Sequence, residues 1–127
     1  MLVVMEELRE IEEWINRLKD CGKLIVVEGM KDKNALISCG ISSIHTLNKK
    51  PLYACIEEIA TQSKDVIILT DMDPEGKKLY GTVSSGLQHH GVRIDNYFRE
   101  FLFKKTKLRQ IEGLYRYVER MRKENCH

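Results

Sequence analysis

The chain has 127 residues, a formal net charge of +2, and 43% apolar and 31% charged residues. This composition excludes disordered and fibrous proteins, and no apolar run approaches the roughly 20 residues that a membrane-spanning helix needs. Four cysteines without CxxC spacing argue against a zinc site. The N-terminal region turns acidic where a secretory signal would be apolar, so we expect a cytoplasmic protein with no membrane association.

Charge is distributed unevenly along the chain. Residues 1–98 carry 12 Lys/Arg and 15 Asp/Glu, whereas residues 99–127 carry 9 and 4. The asymmetry suggests an acidic site beside a basic C-terminal segment, although a helix with a solvated basic face would give the same count.

The apolar pattern predicts alternating helices and strands. In chain order these are a helix over 5–20, a strand over 23–27, a helix over about 31–39, a strand over 42–46, a helix from 51 to about 62, a strand over 65–70, a helix over about 74–90, a strand over 92–98 and a helix over about 107–124. Short apolar strands between helices predict an α/β fold, with a parallel sheet covered by helices on both faces. Without a linker or repeat, residues 1–127 are expected to form a single domain.

Acidic residues follow two of the predicted strands. Glu28 comes after LIVV, and Asp71, Asp73 and Glu75 come after VIILT. In an open α/β sheet, ligands collect at the carboxyl ends of the strands, so these carboxylates converge if the two strands are neighbours. Converging carboxylates repel one another, and a bound Mg²⁺ would remove that repulsion because it prefers oxygen ligands.

A purely structural reading exists for part of this cluster. Asp73, Pro74 and Glu75 form a good helix start, because Asp caps, Pro suits the first helical position and acids favour the helix dipole. That reading leaves Asp71 unexplained. Gly76 has no side chain and leaves room for the close approach of a backbone or a phosphate.

The two motifs together resemble the Toprim domain of topoisomerases and primases. "VVEGMKDKNAL" is similar to the EGxxD motif of bacterial primases and the 5S ribosomal RNA maturase, and "LTDMDPEGKKL" is similar to the DxDxEG motif of type IA topoisomerases. The resemblance covers roughly residues 22–113. It implies a compact Toprim (Rossmann-like) fold with a four-stranded, mainly parallel sheet. "KLRQIEGL", residues 107–114, also resembles a segment near the end of the maturase's catalytic half.

The resemblance also implies roles for the acidic residues. Glu28 would be the general acid or base, and Asp71 and Asp73 would bind Mg²⁺, with Mn²⁺ as a substitute. Glu75 matches a further acidic position of topoisomerases and is a candidate third ligand. Asp32, with Gly29 and Gly76, would support the site.

Substrate contacts are expected from basic residues in or near the predicted carboxyl-end loops, since nucleic acid is a polyanion. The candidates are Lys31, Lys33, Lys49, Lys50, Lys77, Lys78, Lys107 and Arg109, with Lys104 and Lys105 adding to the basic C-terminal segment.

Three functions fit these features. The first is a Mg²⁺-dependent enzyme acting on RNA or DNA phosphodiesters, either a nuclease related to the maturase or a primase-like protein. The second is a non-catalytic Toprim module that binds nucleic acid or nucleotide within a larger complex. The third is a haloacid-dehalogenase-like phosphatase, whose later motifs have little room here. The sequence leaves the oligomeric state open.

Overall fold

A computed structural model describes residues 2–48 and 50–125, with side chains from residue 5 onward. The strands are β1 (Leu24–Val27), β2 (Ile44–Thr46), β3 (Asp65–Ile68) and β4 (Arg93–Asp95). The helices are α1 (Leu2–Asp20), α2 (Met30–Ser38), α3 (Leu52–Gln62), α4 (Pro74–His89), α5 (Tyr97–Lys105) and α6 (Leu114–Glu124), the last preceded by a 3-10 turn (Ile111–Gly113). None of the helices described is both long enough and apolar enough to cross a membrane.

The four strands form one sheet in the order β2-β1-β3-β4, and all three strand pairs are parallel. Ile25 of β1 lies opposite Ile44 on one side and Ile67 on the other. The predicted parallel sheet is therefore confirmed. Because β1 and β3 are direct neighbours, the condition for the convergence of Glu28 with the acids after β3 is met.

Helices cover both faces of the sheet, as predicted, and alternate strand residues point to opposite faces. The helices α1, α2, α5 and α6 pack on the face that presents Ile25, Val27, Ile67 and Leu69. The helices α3 and α4 pack on the face that presents Val26, Val66 and Ile68. Burial on both faces explains why the strands are continuous apolar runs rather than alternating ones.

The sequence-based prediction is wrong after β4. Residues 92–98 were expected to be one strand, but β4 ends at Asp95 and α5 begins at Tyr97. The Asp95 carboxylate accepts the backbone N–H of Tyr97 at 3.0 Å, which turns the chain into the helix. Phe98, Leu102 and Phe103 on α5 are buried, so aromatic residues that read as a strand in isolation belong to a helix packed on the core.

The last predicted helix, about 107–124, also begins later than expected. α6 starts at Leu114, and residues 107–110 are not helical. Their backbone pairs elsewhere: the carbonyl of Arg109 accepts the N–H of Met72 at 2.8 Å. A long-range contact therefore replaces the helical turn that local propensity favours. Cys21, Cys39 and Cys55 are free thiols, and Cys126 lies outside the described residues.

Candidate active site

The two acidic motifs touch directly at the carboxyl edge of the sheet. Glu28 follows β1, and Asp71 lies three residues beyond the end of β3. The Glu28 Oε2 atom accepts a hydrogen bond from the backbone N–H of Asp71 at 2.6 Å. This contact joins residues 43 positions apart in the chain and fixes the Glu28 carboxylate against the loop that carries the other acids.

Asp71 is held from two sides. Its Oδ1 atom accepts the backbone N–H of Ile111 at 2.9 Å, which ties the loop to the 3-10 turn before α6. Its carbonyl accepts a hydrogen bond from Arg99 Nη2 at 2.7 Å, and Arg99 Nε donates to the carbonyl of Thr70 at 2.9 Å. A guanidinium presents several donors in a fixed plane, so Arg99 can hold two consecutive carbonyls at once.

Asp73 caps α4, as its position before Pro74 predicts. Its Oδ1 atom accepts the N–H of Gly76 at 2.7 Å. Gly76 lies against the backbone of Asp71, because a Cβ added at Gly76 would lie 2.2 Å from the Asp71 carbonyl oxygen. The hydroxyl of Thr70 donates to the Gly76 carbonyl at 2.7 Å. The close approach expected at Gly76 is therefore made to the backbone that carries the candidate ligand.

Asp32 lies at the start of α2, beside Glu28. It is only 7% exposed, and its Oδ2 atom accepts the backbone N–H of Gly29 at 3.0 Å. Burial raises the pKa of Asp32 to about 6, and the negative charges of Asp71 and Glu112 add to this, while the Gly29 hydrogen bond opposes it. The geometry suits the supporting role that the EGxxD resemblance implies.

The electrostatics of the cluster disfavour several charges at once. Burial raises the pKa of Glu28, with smaller contributions from the charges of Asp71, Asp32 and Asp73, and the hydrogen bond from the Asp71 N–H acts in the opposite direction. Burial likewise raises the pKa of Asp71, and the Ile111 N–H and Arg99 counteract it. A bound cation would relieve this repulsion, because a nearby positive charge favours the ionised form of each carboxyl.

The donors present are suitable for a hard cation. Glu28, Asp71 and Asp73 each use one oxygen to accept a backbone N–H, and the other oxygen has no hydrogen-bond partner among the described residues. Among the described residues, every buried side-chain nitrogen or oxygen has a hydrogen-bond partner. These three oxygens have none, so they are not buried and are accessible to solvent. Within residues 2–48 and 50–125, no three His, Cys, Asp or Glu side chains are grouped so as to hold a metal ion. Mg²⁺ favours a coordination shell in which one or two carboxylates are joined by water and phosphate oxygens.

Glu75 and the described members of the predicted basic set lie on α2, on α4 and in the segments that follow β2 and α5. Glu75 is exposed in the first turn of α4 and remains only a candidate ligand. Lys31 and Lys33 lie on α2, Lys77 and Lys78 on α4, and Lys107 precedes the 3-10 turn. Lys50 pairs with Glu58 at 2.9 Å. The Arg109 guanidinium donates to the carbonyls of Phe103 on α5 and of Thr106 and Leu108 after it, so it stabilises the end of that helix and the segment that follows. Lys49 lies outside the described residues.

Sequence reasoning missed Arg99. This residue is half-buried, and its guanidinium lies 4.8 Å from the ring centre of Tyr80 and 5.4 Å from that of Phe103. Burial lowers the pKa of Arg99, whereas Tyr80, Glu28 and Asp71 raise it. In the sequence, Arg99 stands out only as an arginine within an aromatic run, NYFREFLF. Its hydrogen bonds to the carbonyls of Thr70 and Asp71 join residues 29 and 28 positions apart, which no local pattern predicts.

Comparisons with known proteins place the chain in a family. Residues 23–97 match the Toprim domain. A UPF0292 protein of Methanocaldococcus jannaschii is 31% identical over 94% of this chain and 91% of its own length, and one of Pyrococcus abyssi is 34% identical over 87% and 85%. A solved structure of a protein from Aquifex aeolicus shares 32% identity, with a TM-score of 0.74 over 81% of this chain and 96% of that one. The chain belongs to the Toprim domain family and is similar to its small UPF0292 members.

Proposed function

We propose that this chain is a Mg²⁺-dependent enzyme that acts on the phosphodiester bonds of nucleic acid. Membership of the Toprim family indicates a metal-dependent role connected with nucleic acids, and Toprim domains generally bind Mg²⁺ through acidic residues. The observation that carries the proposal is the contact between Glu28 and the Asp71 N–H. Through this contact the Glu28 carboxylate, with one oxygen free of hydrogen bonds to the protein, adjoins the loop that carries the two proposed ligands, Asp71 and Asp73.

In this proposal Asp71 and Asp73 bind the cation through the oxygens that the backbone leaves free. When bound, Mg²⁺ would neutralise charge on the scissile phosphate and orient it. Mn²⁺ would be expected to substitute, because it accepts the same oxygen ligands.

Glu28 is the proposed general acid or base. Its carboxylate would take the proton from an attacking water or hydroxyl, or its protonated form would deliver a proton to the leaving oxygen. The raised pKa of Glu28, caused mainly by burial, brings both protonation states closer to neutral pH than for an exposed glutamate. The Asp71 N–H fixes the carboxylate, so it can move a proton without first being ordered.

Arg99 is the proposed positioning residue. Its guanidinium holds the carbonyls of Thr70 and Asp71 and therefore fixes the backbone that carries the first candidate ligand. Its charge also lies near Glu28 and Asp71, where it offsets part of their repulsion. We propose hydrolysis rather than nucleotidyl transfer because "KLRQIEGL", residues 107–114, resembles a segment of the 5S ribosomal RNA maturase, whereas the EGxxD motif is shared with bacterial primases.

A cleavage assay tests the proposal. The full chain would be incubated with structured RNA and with single-stranded DNA, in Mg²⁺ or in EDTA, beside Glu28→Gln and the double variant Asp71→Asn with Asp73→Asn. Glu57→Gln, an exposed carboxylate change on α3, is the matched control. We expect Mg²⁺-dependent product in the wild type and control, at least about a hundredfold less in Glu28→Gln, and none in the double variant.

Other outcomes would point elsewhere. Binding without product in the wild type would favour the non-catalytic module, and product that requires nucleoside triphosphates would favour a primase-like transfer. If Glu28→Gln cleaved as fast as the wild type, the proposed acid–base role would be wrong. If the double variant bound Mg²⁺ as tightly as the wild type, the proposed metal site would be wrong.

A further inference from the structure

A basic groove of about 580 Å³ lies between the end of α5, the segment that follows it and α6. Four cationic side chains line it: Lys104, Lys105, Lys107 and Arg120. The carboxylates of Glu7 and Glu124 also line it, so the groove carries two more positive than negative charges. None of the proposed roles of the acidic site uses Lys105 or Arg120.

The charges of these cations are not consumed by ion pairs. Within the described residues, no carboxylate lies within 4.0 Å of the charged groups of the four groove cations, which are all exposed. Arg122, only two positions from Arg120 on the same helix, instead pairs with Glu12 at 2.9 Å and Glu119 at 2.8 Å. The two neighbouring arginines therefore differ: Arg122 stabilises the packing of α6 on α1, while Arg120 remains available to an external anion.

The groove shares Lys104 with a second cavity, of about 340 Å³, that lies beside the backbone of the acidic loop. The other residues that line this cavity are Met72, Arg99, Glu100 and Phe103. Met72 lies between Asp71 and Asp73, and Arg99 holds the carbonyl of Asp71. A ligand that extends from the candidate metal ligands across this cavity would reach Lys104 and then the groove.

An aromatic ring forms part of the groove. Tyr117 is half-buried, and the guanidinium of Arg120 lies 5.8 Å from the centre of its ring. Aromatic rings and arginine planes stack on unpaired bases, which a single strand offers and a duplex does not. The groove offers cations for phosphates and an aromatic surface for unpaired bases. It therefore suits a single strand better than a duplex, whose bases are paired, or a polyphosphate, which has no bases.

We propose that this groove binds the backbone of a single-stranded RNA or DNA segment that extends from the phosphodiester held at the acidic site. This inference rests on the proposed function, because it takes the reacting phosphate to lie at Glu28, Asp71 and Asp73. Lys105, Lys107 and Arg120 contact phosphates in the groove, and Lys104 contacts the strand where the groove meets the cavity beside Met72.

A binding experiment in EDTA tests the groove without requiring turnover. Fluorescence anisotropy would follow a labelled oligouridine and an oligothymidine, each of about twelve nucleotides, together with a duplex of that length and a polyglutamate peptide. The groove variant is Lys105→Gln/Lys107→Gln/Arg120→Gln. The control is Lys19→Gln/Lys64→Gln/Arg93→Gln, which removes the same number of positive charges from exposed positions. Lys19 lies at the end of α1, Lys64 precedes β3, and Arg93 begins β4.

We expect the groove variant to bind single strands at least about tenfold more weakly at about 50 mM salt, and the slope of log K against log salt to fall by about 2, because three phosphate contacts are lost. The control should retain the wild-type slope. The proposal is overturned if the two triple variants bind alike, if the duplex binds more tightly than both single strands, or if polyglutamate competes as well as the oligonucleotides. Tighter binding of oligouridine would indicate RNA as the bound strand, and tighter binding of oligothymidine would indicate DNA. Either result supports the proposed groove.

Hydrolysis of bis(p-nitrophenyl) phosphate separates this inference from the proposed enzyme activity. That ester is too short to reach the groove, so the single groove variant Arg120→Gln should hydrolyse it like the wild type. If the wild type hydrolyses nothing but the groove variant still loses its salt slope, the proposed activity fails and the groove stands. If hydrolysis is normal and the salt slope is unchanged, the groove fails and the activity stands.

Discussion

Three glycines of α4, Gly76, Gly81 and Gly86, form a natural series for testing the packing of the acidic loop. An added Cβ meets nothing within 4 Å at Gly81. At Gly86 it would lie 2.7 Å from the flexible Cδ1 end of Ile56. At Gly76 it would lie 2.2 Å, 2.7 Å and 2.9 Å from the oxygen, carbon and nitrogen of the Asp71 backbone.

The three alanine substitutions should differ in sign and size. Gly81→Ala should stabilise the protein by about 0.5–1 kcal/mol, because alanine favours the helix. Gly86→Ala gains the same propensity but displaces Ile56, so we expect a net loss of about 1 kcal/mol. Gly76→Ala must move backbone, which costs up to about 3 kcal/mol.

The displacement at Gly76 also affects two hydrogen bonds, one from its N–H to Asp73 and one from Thr70 to its carbonyl, each worth about 1 kcal/mol. These losses add to about 5 kcal/mol, and the higher helix propensity of alanine offsets about 1 kcal/mol of them. The expected net loss for Gly76→Ala is therefore about 4 kcal/mol, or about 15 °C in Tm for a chain of this size. The same shift moves Asp71, so Mg²⁺ affinity should fall in this variant and remain unchanged in Gly81→Ala.

Urea unfolding followed by circular dichroism, with Mg²⁺ titration on the folded protein, measures both effects. The reasoning would be refuted if Gly76→Ala unfolded at the same urea concentration as Gly86→Ala. It would also be refuted if Gly76→Ala bound Mg²⁺ with wild-type affinity, since the Asp71 backbone could not then have moved.

Three further outcomes are expected. The pKa of Asp32 in the folded state, about 6, lies above its ordinary value of 3.8. Between these two pH values the folded state retains a proton that the unfolded state loses, so the stability of the protein falls as the pH rises from about 4 to about 6. Asp32→Asn in EDTA should therefore be more stable than the wild type by about 3 kcal/mol at pH 7 and nearly equal to it near pH 4. A pH-independent difference in urea unfolding would contradict this. Arg99→Lys keeps the charge but cannot hold two carbonyls, so unfolding should need about 2 kcal/mol less, and an unchanged urea midpoint would show that the carbonyl contacts contribute nothing. Mg²⁺ at about a hundred times its Kd should add about 2.7 kcal/mol to wild-type stability, and a calorimetric Tm shift of equal size in the Asp71→Asn/Asp73→Asn variant would place the cation elsewhere.

Much of the fold followed from local patterns. The strands β1 and β3 are runs of apolar residues because both of their faces are buried, so their positions could be predicted closely. The cap formed by Asp73 and Pro74 could be predicted because its hydrogen bond spans only three residues. The end of β4 and the start of α5 could not, since aromatic residues favour strands locally and only their packing on the core makes them helical.

The sequence by itself determined which acidic residues follow the strands, because the order of apolar runs and the residues after them are local properties. It also showed that Asp71 has no role in capping the following helix, which Asp73 already caps. Only the tertiary structure decided that Glu28 accepts the Asp71 N–H, that the turn at Ile111 donates to the Asp71 carboxylate, and that Arg99 holds the same loop. These contacts join residues 28 to 43 positions apart, and a chain acquires them only when burial of the sheet's two faces brings its distant segments together.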